Sequence, residues 1–162
     1  MISFNAAEIY EMAEQIERNG AAFYRKAAEG VSEEGAADLL LDLAAMEDDH
    51  EKTFAEMKAQ LSERDRGDAP FDPDNEGVLY LRSMVEGKVF DPESKPAEKL
   101  TGSESLQEIL HTAIGLEKDS IVFYIGMKKV VPDNRGRQRI DDIIAQEMGH
   151  ITTLSGKLAA PA

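Results

Sequence analysis

The chain has 162 residues, of which 42% are hydrophobic and 31% are charged; none is cysteine, and the formal net charge is -14. This length predicts a single domain, residues 1–162, with a sizeable core. Without cysteine, disulfides, thiolate zinc sites, iron–sulfur clusters and cysteine nucleophiles are excluded. The negative charge makes nucleic acid and anionic membranes poor partners, whereas cations are attracted. Because neither a signal peptide nor a long apolar run is found, we expect a soluble cytoplasmic protein.

Apolar residues recur at helical spacing through most of the chain and strand signals are weak, so the sequence predicts an all-α protein. Short links join the first long helix to the second and the third to the fourth, which predicts two antiparallel hairpins. A long crossover joins the hairpins and contains a short helix of its own. The predicted helices cover approximately residues 5–29, 33–62, 76–87, 103–130 and 134–158.

Capping and breaking residues place the ends of these helices. Asn5 is the predicted N-cap of the first helix, and Ser32, followed by two glutamates, is the predicted N-cap of the second. Two overlapping capping boxes, at 101–104 and 105–108, precede the third long helix. Residues 64–75 are rich in charge, glycine and proline, which predicts an irregular connector.

A glutamate and a histidine three residues apart occur twice, one hundred positions from each other: Glu47 with His50, and Glu147 with His150. Residues three apart lie on one face of an α-helix, so each pair directs a carboxylate oxygen and an imidazole nitrogen toward the same place. One such pair on a charged helix is usually a solvated pair. The matched register of two pairs instead favours a metal site between the helices.

Carboxylates on the other two long helices repeat at the same offset. Glu17 returns as Glu117, and Glu17 lies within an apolar stripe, where a carboxylate needs a partner. Tyr24 and Tyr124 follow two turns later; they could hydrogen-bond the ligands or buffer stray oxidising equivalents, although core packing is the simpler interpretation. Four helices thus supply six candidate metal ligands: Glu17, Glu47, His50, Glu117, Glu147 and His150.

The ligand types restrict which metals are expected. Carboxylate and imidazole without thiolate suit iron or manganese, and such a site would also accept zinc or cobalt. Four carboxylates carry four negative charges, which two divalent ions neutralise. We therefore predict two iron ions per chain, with manganese or zinc as alternatives that the sequence does not distinguish.

Residues outside this pattern have simpler interpretations. His111 lies off the face of Glu117 and is predicted to be a surface residue. The methionines, among them Met46 and Met148, are interpreted as core filler.

Two helical hairpins joined by a long crossover are typical of ferritin-like four-helix bundles, whose dimetal ligands follow the same pattern of Glu, Glu-x-x-His, Glu, Glu-x-x-His. The sequence resembles the rubrerythrin branch of the ferritin-like diiron-carboxylate superfamily over nearly the whole chain. By this resemblance, Glu47 and Glu147 would bridge two irons, and the other four ligands would be terminal. The motifs that carry the resemblance are Glu17 to Tyr24, Glu47 to His50, Glu117 to Tyr124 and Glu147 to His150.

Two departures from the rubrerythrin pattern bear on function. Rubrerythrins typically add a rubredoxin-like domain with four cysteines, and this sequence contains no cysteine. They also carry an extra glutamate three residues after the ligand on the third helix, where this chain has Ser120, with Gly20 as its repeat counterpart. Because the sequence contains no cysteine, an external electron-donor protein, such as a rubredoxin, would be required.

The resemblance implies a diiron oxidoreductase that reduces hydrogen peroxide, or dioxygen, to water in oxidative-stress defence. A ferroxidase for iron storage or detoxification is the alternative enzyme, for which the acidic surface would help to collect Fe(II). A metal-stabilised scaffold or binding protein without turnover is the third interpretation. We expect a homodimer or a larger homo-oligomer.

Overall fold

Four long helices account for most of the chain, as the apolar periodicity predicts. The structure is a computed structural model that describes residues 5–67, 74, 76–86, 91, 93–131 and 134–160, and these residues contain no strand. None of the described helices is both long and apolar enough to cross a membrane. The helices are α1 (Ala6–Gly30), α2 (Ala36–Ala59), α3 (Glu63–Gly67), α4 (Glu76–Glu86), α5 (Leu106–Val130) and α6 (Asn134–Ala159), with a 3-10 turn at Pro96–Lys99.

The start of α2 differs from the prediction. Asn5 caps α1 as expected, because its side-chain oxygen accepts a hydrogen bond from the Glu8 backbone N–H at 2.9 Å. Ser32, by contrast, does not cap α2. Residues 33–35 form a turn that ends at Gly35, whose φ of 71° is a left-handed conformation that glycine adopts without steric penalty. The helix therefore begins at Ala36, three residues later than predicted.

Only the second of the two predicted capping boxes begins α5. The Ser105 side chain accepts from the Glu108 backbone, and the Glu108 carboxylate accepts from the Ser105 backbone. The Glu104 carboxylate instead accepts from the backbone N–H groups of Thr101 at 2.8 Å and Gly102 at 3.0 Å, in the loop before the helix. The third long helix therefore starts at Leu106 and not near residue 103.

The crossover between the hairpins is more helical than predicted. The second long helix ends at Ala59, and Ser62 then caps α3 by accepting from the Asp65 backbone N–H at 3.2 Å, within a segment predicted to be irregular. The predicted short helix is present as α4. The prolines at 70 and 73, on which the irregular connector was predicted, lie outside the described residues. The Asn19 side chain donates to the Ser94 carbonyl oxygen at 2.8 Å, which attaches the end of the crossover to α1.

The core consists of two apolar clusters separated along the bundle. One cluster contains Ile9, Phe54 and Phe123, and the other contains Leu40 and Leu154. On each long helix, at least one buried polar residue lies between the parts that belong to the two clusters. Burying one such large apolar side chain contributes about 1.5–3 kcal/mol. The clusters therefore fix the four helices on either side of a polar layer.

Candidate metal centre

The structure brings all six predicted ligands together in the polar layer. Helices α1 and α5 supply one glutamate each, while α2 and α6 supply one glutamate and one histidine each. Every one of these side chains is buried, with at most 4% of its surface exposed. The six residues are Glu17, Glu47, His50, Glu117, Glu147 and His150.

The six side chains form two overlapping groups, each able to hold one metal ion. Within each group the candidate ligand atoms lie within 4.8 Å of one another. Glu47 and Glu147 belong to both groups, as expected for carboxylates that bridge two ions. One group is Glu17, Glu47, His50 and Glu147, and the other is Glu47, Glu117, Glu147 and His150.

Both histidines direct Nδ1 toward the carboxylates. His50 Nδ1 lies 2.8 Å from a Glu147 oxygen and 3.4 Å from oxygens of Glu17 and Glu47. His150 Nδ1 lies 3.2 to 3.4 Å from oxygens of its own three carboxylate neighbours. Two ligand atoms that are each about 2.1 Å from one ion, at a right angle, are about 3 Å apart. The spacing around each Nδ1 therefore fits coordination of a shared ion.

Several buried polar atoms in this layer have no hydrogen-bond partner among the described residues. They are Nδ1 of both histidines, Oε1 of Glu47 and both carboxylate oxygens of Glu147. A buried polar atom left without a partner costs about 1–3 kcal/mol, and more if it is charged. The concentration of such atoms at one point fits a site that a cation completes.

The four carboxylates compete for protons when no metal is bound. Burial, reinforced by neighbouring carboxylates, raises the pKa of Glu17 well above its ordinary value and that of Glu117 to about 9. Burial also opposes ionisation of Glu47 and Glu147, but the close approach of Glu17, Glu117 and the histidines outweighs it and lowers their pKa values. Without metal, the two outer carboxylates therefore bind protons more readily than the two that belong to both groups.

The two histidines also retain protons in this environment. Burial alone would lower their pKa values, but the carboxylate oxygens that lie 2.8 to 3.4 Å from each Nδ1 outweigh it and raise the pKa of His50 strongly and that of His150 to about 12. The rings stack with centroids 5.7 Å apart. A divalent ion at each Nδ1 would replace these protons, so metal binding and proton release are coupled at this site.

The two tyrosines hydrogen-bond the outer carboxylates crosswise. The Tyr24 hydroxyl of α1 donates to Oε1 of Glu117 on α5, and the Tyr124 hydroxyl of α5 donates to Oε1 of Glu17 on α1. Both rings are buried, and burial followed by the nearby negative charge raises both pKa values. Packing alone therefore does not describe these residues, because each links one hairpin to a candidate ligand of the other.

The outward nitrogens of the histidines have partners that the sequence reasoning missed. His50 Nε2 lies 3.0 Å from Gln146 Oε1, and His150 Nε2 lies 3.0 Å from the Met46 sulfur. Met46 is 44% exposed and Met148 is 57% exposed, so the interpretation of these two methionines as core filler is wrong. The repeat contained the relevant signal, since positions 46 and 146 correspond at the offset of one hundred.

A cavity of about 530 Å³ lies against the polar layer, between α1 and α5. Three candidate ligands, Glu17, Glu47 and Glu117, line it, together with residues 94–100 of the crossover. Gly20 and Ser120 also line it, and a Cβ atom on Gly20 would lie 3.5 Å from Cγ of Glu47. The small residues at these two positions leave space beside the carboxylates.

His111 is exposed on α5, with its Nδ1 2.8 Å from the Gln107 carbonyl oxygen, as expected of a residue outside the site.

Comparison with known proteins bears on the fold and on the class of site. No protein-family model matches the chain, and a search of curated proteins also finds no match. Among solved structures, the chain is similar to a Thermotoga maritima protein provisionally described as a ferritin-like diiron-carboxylate protein. The two are 25% identical with a TM-score of 0.69, over 96% of this chain and 95% of that chain. The predicted all-α, ferritin-like bundle is confirmed, and the buried glutamates and histidines suit a diiron site.

Proposed function

We propose that this chain is a diiron oxidoreductase of rubrerythrin type, which reduces hydrogen peroxide, or dioxygen, to water in oxidative-stress defence. One observation carries the proposal: two groups of buried ligand atoms share Glu47 and Glu147 beside a cavity of about 530 Å³. The carboxylate and imidazole ligands of these groups suit iron, and manganese or zinc would fit the same residues.

The proposed ligand roles follow from the two groups. Glu47 and Glu147 would be shared by the two ions, because each belongs to both groups. Glu17 and His50 complete one metal position, and the corresponding glutamate and histidine of the second hairpin complete the other. The four carboxylate charges balance two divalent ions, which offsets the free-energy cost of burying them.

Two ferrous ions, when bound, supply together the two electrons that convert one molecule of hydrogen peroxide and two protons into two molecules of water. The residues of the chain prepare the site for this reaction. Tyr24 and Tyr124 orient the outer carboxylates through their hydroxyl protons. The apolar clusters close the polar layer on both sides along the bundle, and the cavity lies beside it, between α1 and α5. Dioxygen requires four electrons to reach water, twice as many as one ferrous pair holds.

The electrons must come from outside the chain. With no cysteine, the chain holds no rubredoxin-type iron site. The cavity is far too small for a protein, so a donor such as a rubredoxin would deliver electrons from the surface of the bundle. A homodimer or larger homo-oligomer of this chain would be the partner of that donor.

A ferroxidase for iron storage or detoxification is the second candidate, and the cavity favours it in one respect. Asp91, Glu104 and Asp119 line the cavity together with three glutamates of the site, and such carboxylates attract Fe(II). Ser120 also places no extra carboxylate beside the metals, unlike the corresponding glutamate of the rubrerythrins. The two halves of the site consequently resemble each other more closely than they would with a glutamate at position 120.

Stopped-flow oxidation of the diferrous protein distinguishes these functions. At equal oxidant concentrations, we expect peroxide to oxidise the site faster than dioxygen, and Ser120→Glu to increase that preference. Faster consumption of dioxygen, with progressive mineral growth under excess Fe(II), would support the ferroxidase. A loaded protein that neither oxidant changes would support the scaffold without turnover. Substitution of the exposed His111 by Ala is the control and should leave both rates unchanged.

A further inference from the structure

The two histidines of the site differ in what their outward nitrogens contact. His50 on α2 meets the side-chain amide oxygen of Gln146 on α6, and His150 on α6 meets the thioether sulfur of Met46 on α2, both at 3.0 Å. These contacts are reciprocal across the two hairpins, because positions 46 and 146 correspond in the repeat. The two contacts therefore share the same geometry, but one contacting atom is an amide oxygen and the other is a thioether sulfur.

The outward contact controls how well a histidine binds metal through its other nitrogen. Nδ1 of each histidine points at the carboxylates, so a metal on Nδ1 requires the ring proton to be on Nε2. An acceptor for that Nε2–H fixes the tautomer and the ring orientation and increases the basicity of the ligand. An amide oxygen is a good acceptor, whereas a thioether sulfur is a weak one.

We propose that Gln146 and Met46 are positioning residues that make the two metal positions unequal, with the His50 position binding the first ion more tightly. The inference rests on the proposed metal site but not on its oxidase activity. Loss of an outward hydrogen-bond partner typically lowers metal affinity by roughly 10- to 100-fold. The two positions should differ in affinity by about that factor.

Zinc titration of the full chain, followed by nuclear magnetic resonance of the imidazole nitrogens, tests the proposal. The chain has only three histidines, and the exposed His111 is an internal reference. With up to one equivalent of Zn(II), we expect the His50 signals to move to the bound form first. The His150 signals should follow with the second equivalent. Zinc replaces iron here because it is diamagnetic and has no redox chemistry, so the result is independent of turnover.

Exchanging the two positioning residues provides matched variants. Met46→Gln gives both histidines an amide partner, and both sets of signals should then move together. The double exchange Met46→Gln with Gln146→Met should reverse the order, so that His150 responds first. Met148→Gln is the control for the substitution itself. Met148 is exposed on α6, so replacing it should leave the order of binding unchanged.

Each outcome decides the proposal. Filling of the His150 position first, simultaneous filling in the parent chain, or an unchanged order in the double exchange would overturn it. If the double variant does not fold, the order in the parent chain together with that in Met46→Gln decides alone. Failure to bind Zn(II) at all would refute the metal site itself. Ordered binding without peroxide consumption would refute only the proposed function.

Discussion

Four carboxylates buried within one layer of a helical bundle repel one another unless positive charge lies between them. In the metal-free protein, bound protons reduce this repulsion, because the pKa values of Glu17, Glu117 and the two histidines are all raised. Each such proton must be removed before a metal ion can take its place. The stability of the metal-free protein should therefore depend on pH in a way that the loaded protein does not share.

The metal-free protein should lose stability as the pH rises from mildly acidic to alkaline. The pKa of Glu117 is raised from 4.5 to about 9, so the folded chain holds a proton that the unfolded chain releases, and raising the pH through this interval favours unfolding. The pKa of His150, raised from 6.5 to about 12, has the same sign above pH 6.5. Thermal melts should show a larger gain from metal at pH 8 than at pH 5.5. A gain that is independent of pH would contradict the desolvated cluster.

Removal of one tyrosine hydroxyl should weaken the metal site without disturbing its packing. Tyr24→Phe keeps the buried ring and leaves a buried oxygen of Glu117 without this hydrogen bond, so we expect a loss of about 1–3 kcal/mol in the free energy of unfolding, measured with denaturant. Metal affinity should fall as well, because the carboxylate loses its fixed orientation.

Tyr80→Phe is the matched control for this prediction. The Tyr80 hydroxyl donates to the Val122 carbonyl oxygen at 3.0 Å, and Tyr80 is not one of the residues that surround the site. The control should lose some stability and keep its metal affinity. Equal metal affinities in the two variants would show that Tyr24 has only a packing role.

At the scale of the helices, sequence periodicity predicted the elements well and their ends less well. Apolar residues recur at helical spacing over about seven turns in each long helix, so the pattern identifies these segments as helices. The start of α2 depends on the conformation of a single residue, Gly35. Ser32 is of a residue type that often caps helices, but it does not cap α2. The short helix α3 lies in a charged segment without apolar periodicity, which is why it was predicted as irregular.

Two glycines of α5 should respond to alanine with opposite signs. At Gly115 no atom outside its own stretch of helix lies within 4 Å of the position that a Cβ would occupy, so Gly115→Ala should stabilise the helix by about 0.5–1 kcal/mol. At Gly126 the added Cβ would lie 2.4 Å from the ring of Tyr80 on α4. Gly126→Ala should therefore displace α4 and destabilise by about 1–3 kcal/mol. Denaturant unfolding of both variants tests the packing of the crossover, and shifts of the same sign would contradict it.

At the scale of the whole molecule, the internal repeat was sufficient to bring the six candidate ligands to one place. Each hairpin carries its ligands in the same register, so facing hairpins must place them in one layer. The contacts of Met46 and Gln146 were not predicted, because they depend on how closely the hairpins dock and on residues whose types differ between the halves. The cavity was not predicted for the same reason, since residues of the crossover form part of its wall.

We propose that this layer holds two metal ions, with Glu47 and Glu147 shared between them. Elemental analysis after anaerobic reconstitution with Fe(II) tests it directly. We expect two irons per chain in the parent protein and in His111→Ala, and the loss of both ions in Glu47→Ala and in Glu147→Ala, because each removes a carboxylate that belongs to both groups. Two irons per chain in either glutamate variant would contradict the claim.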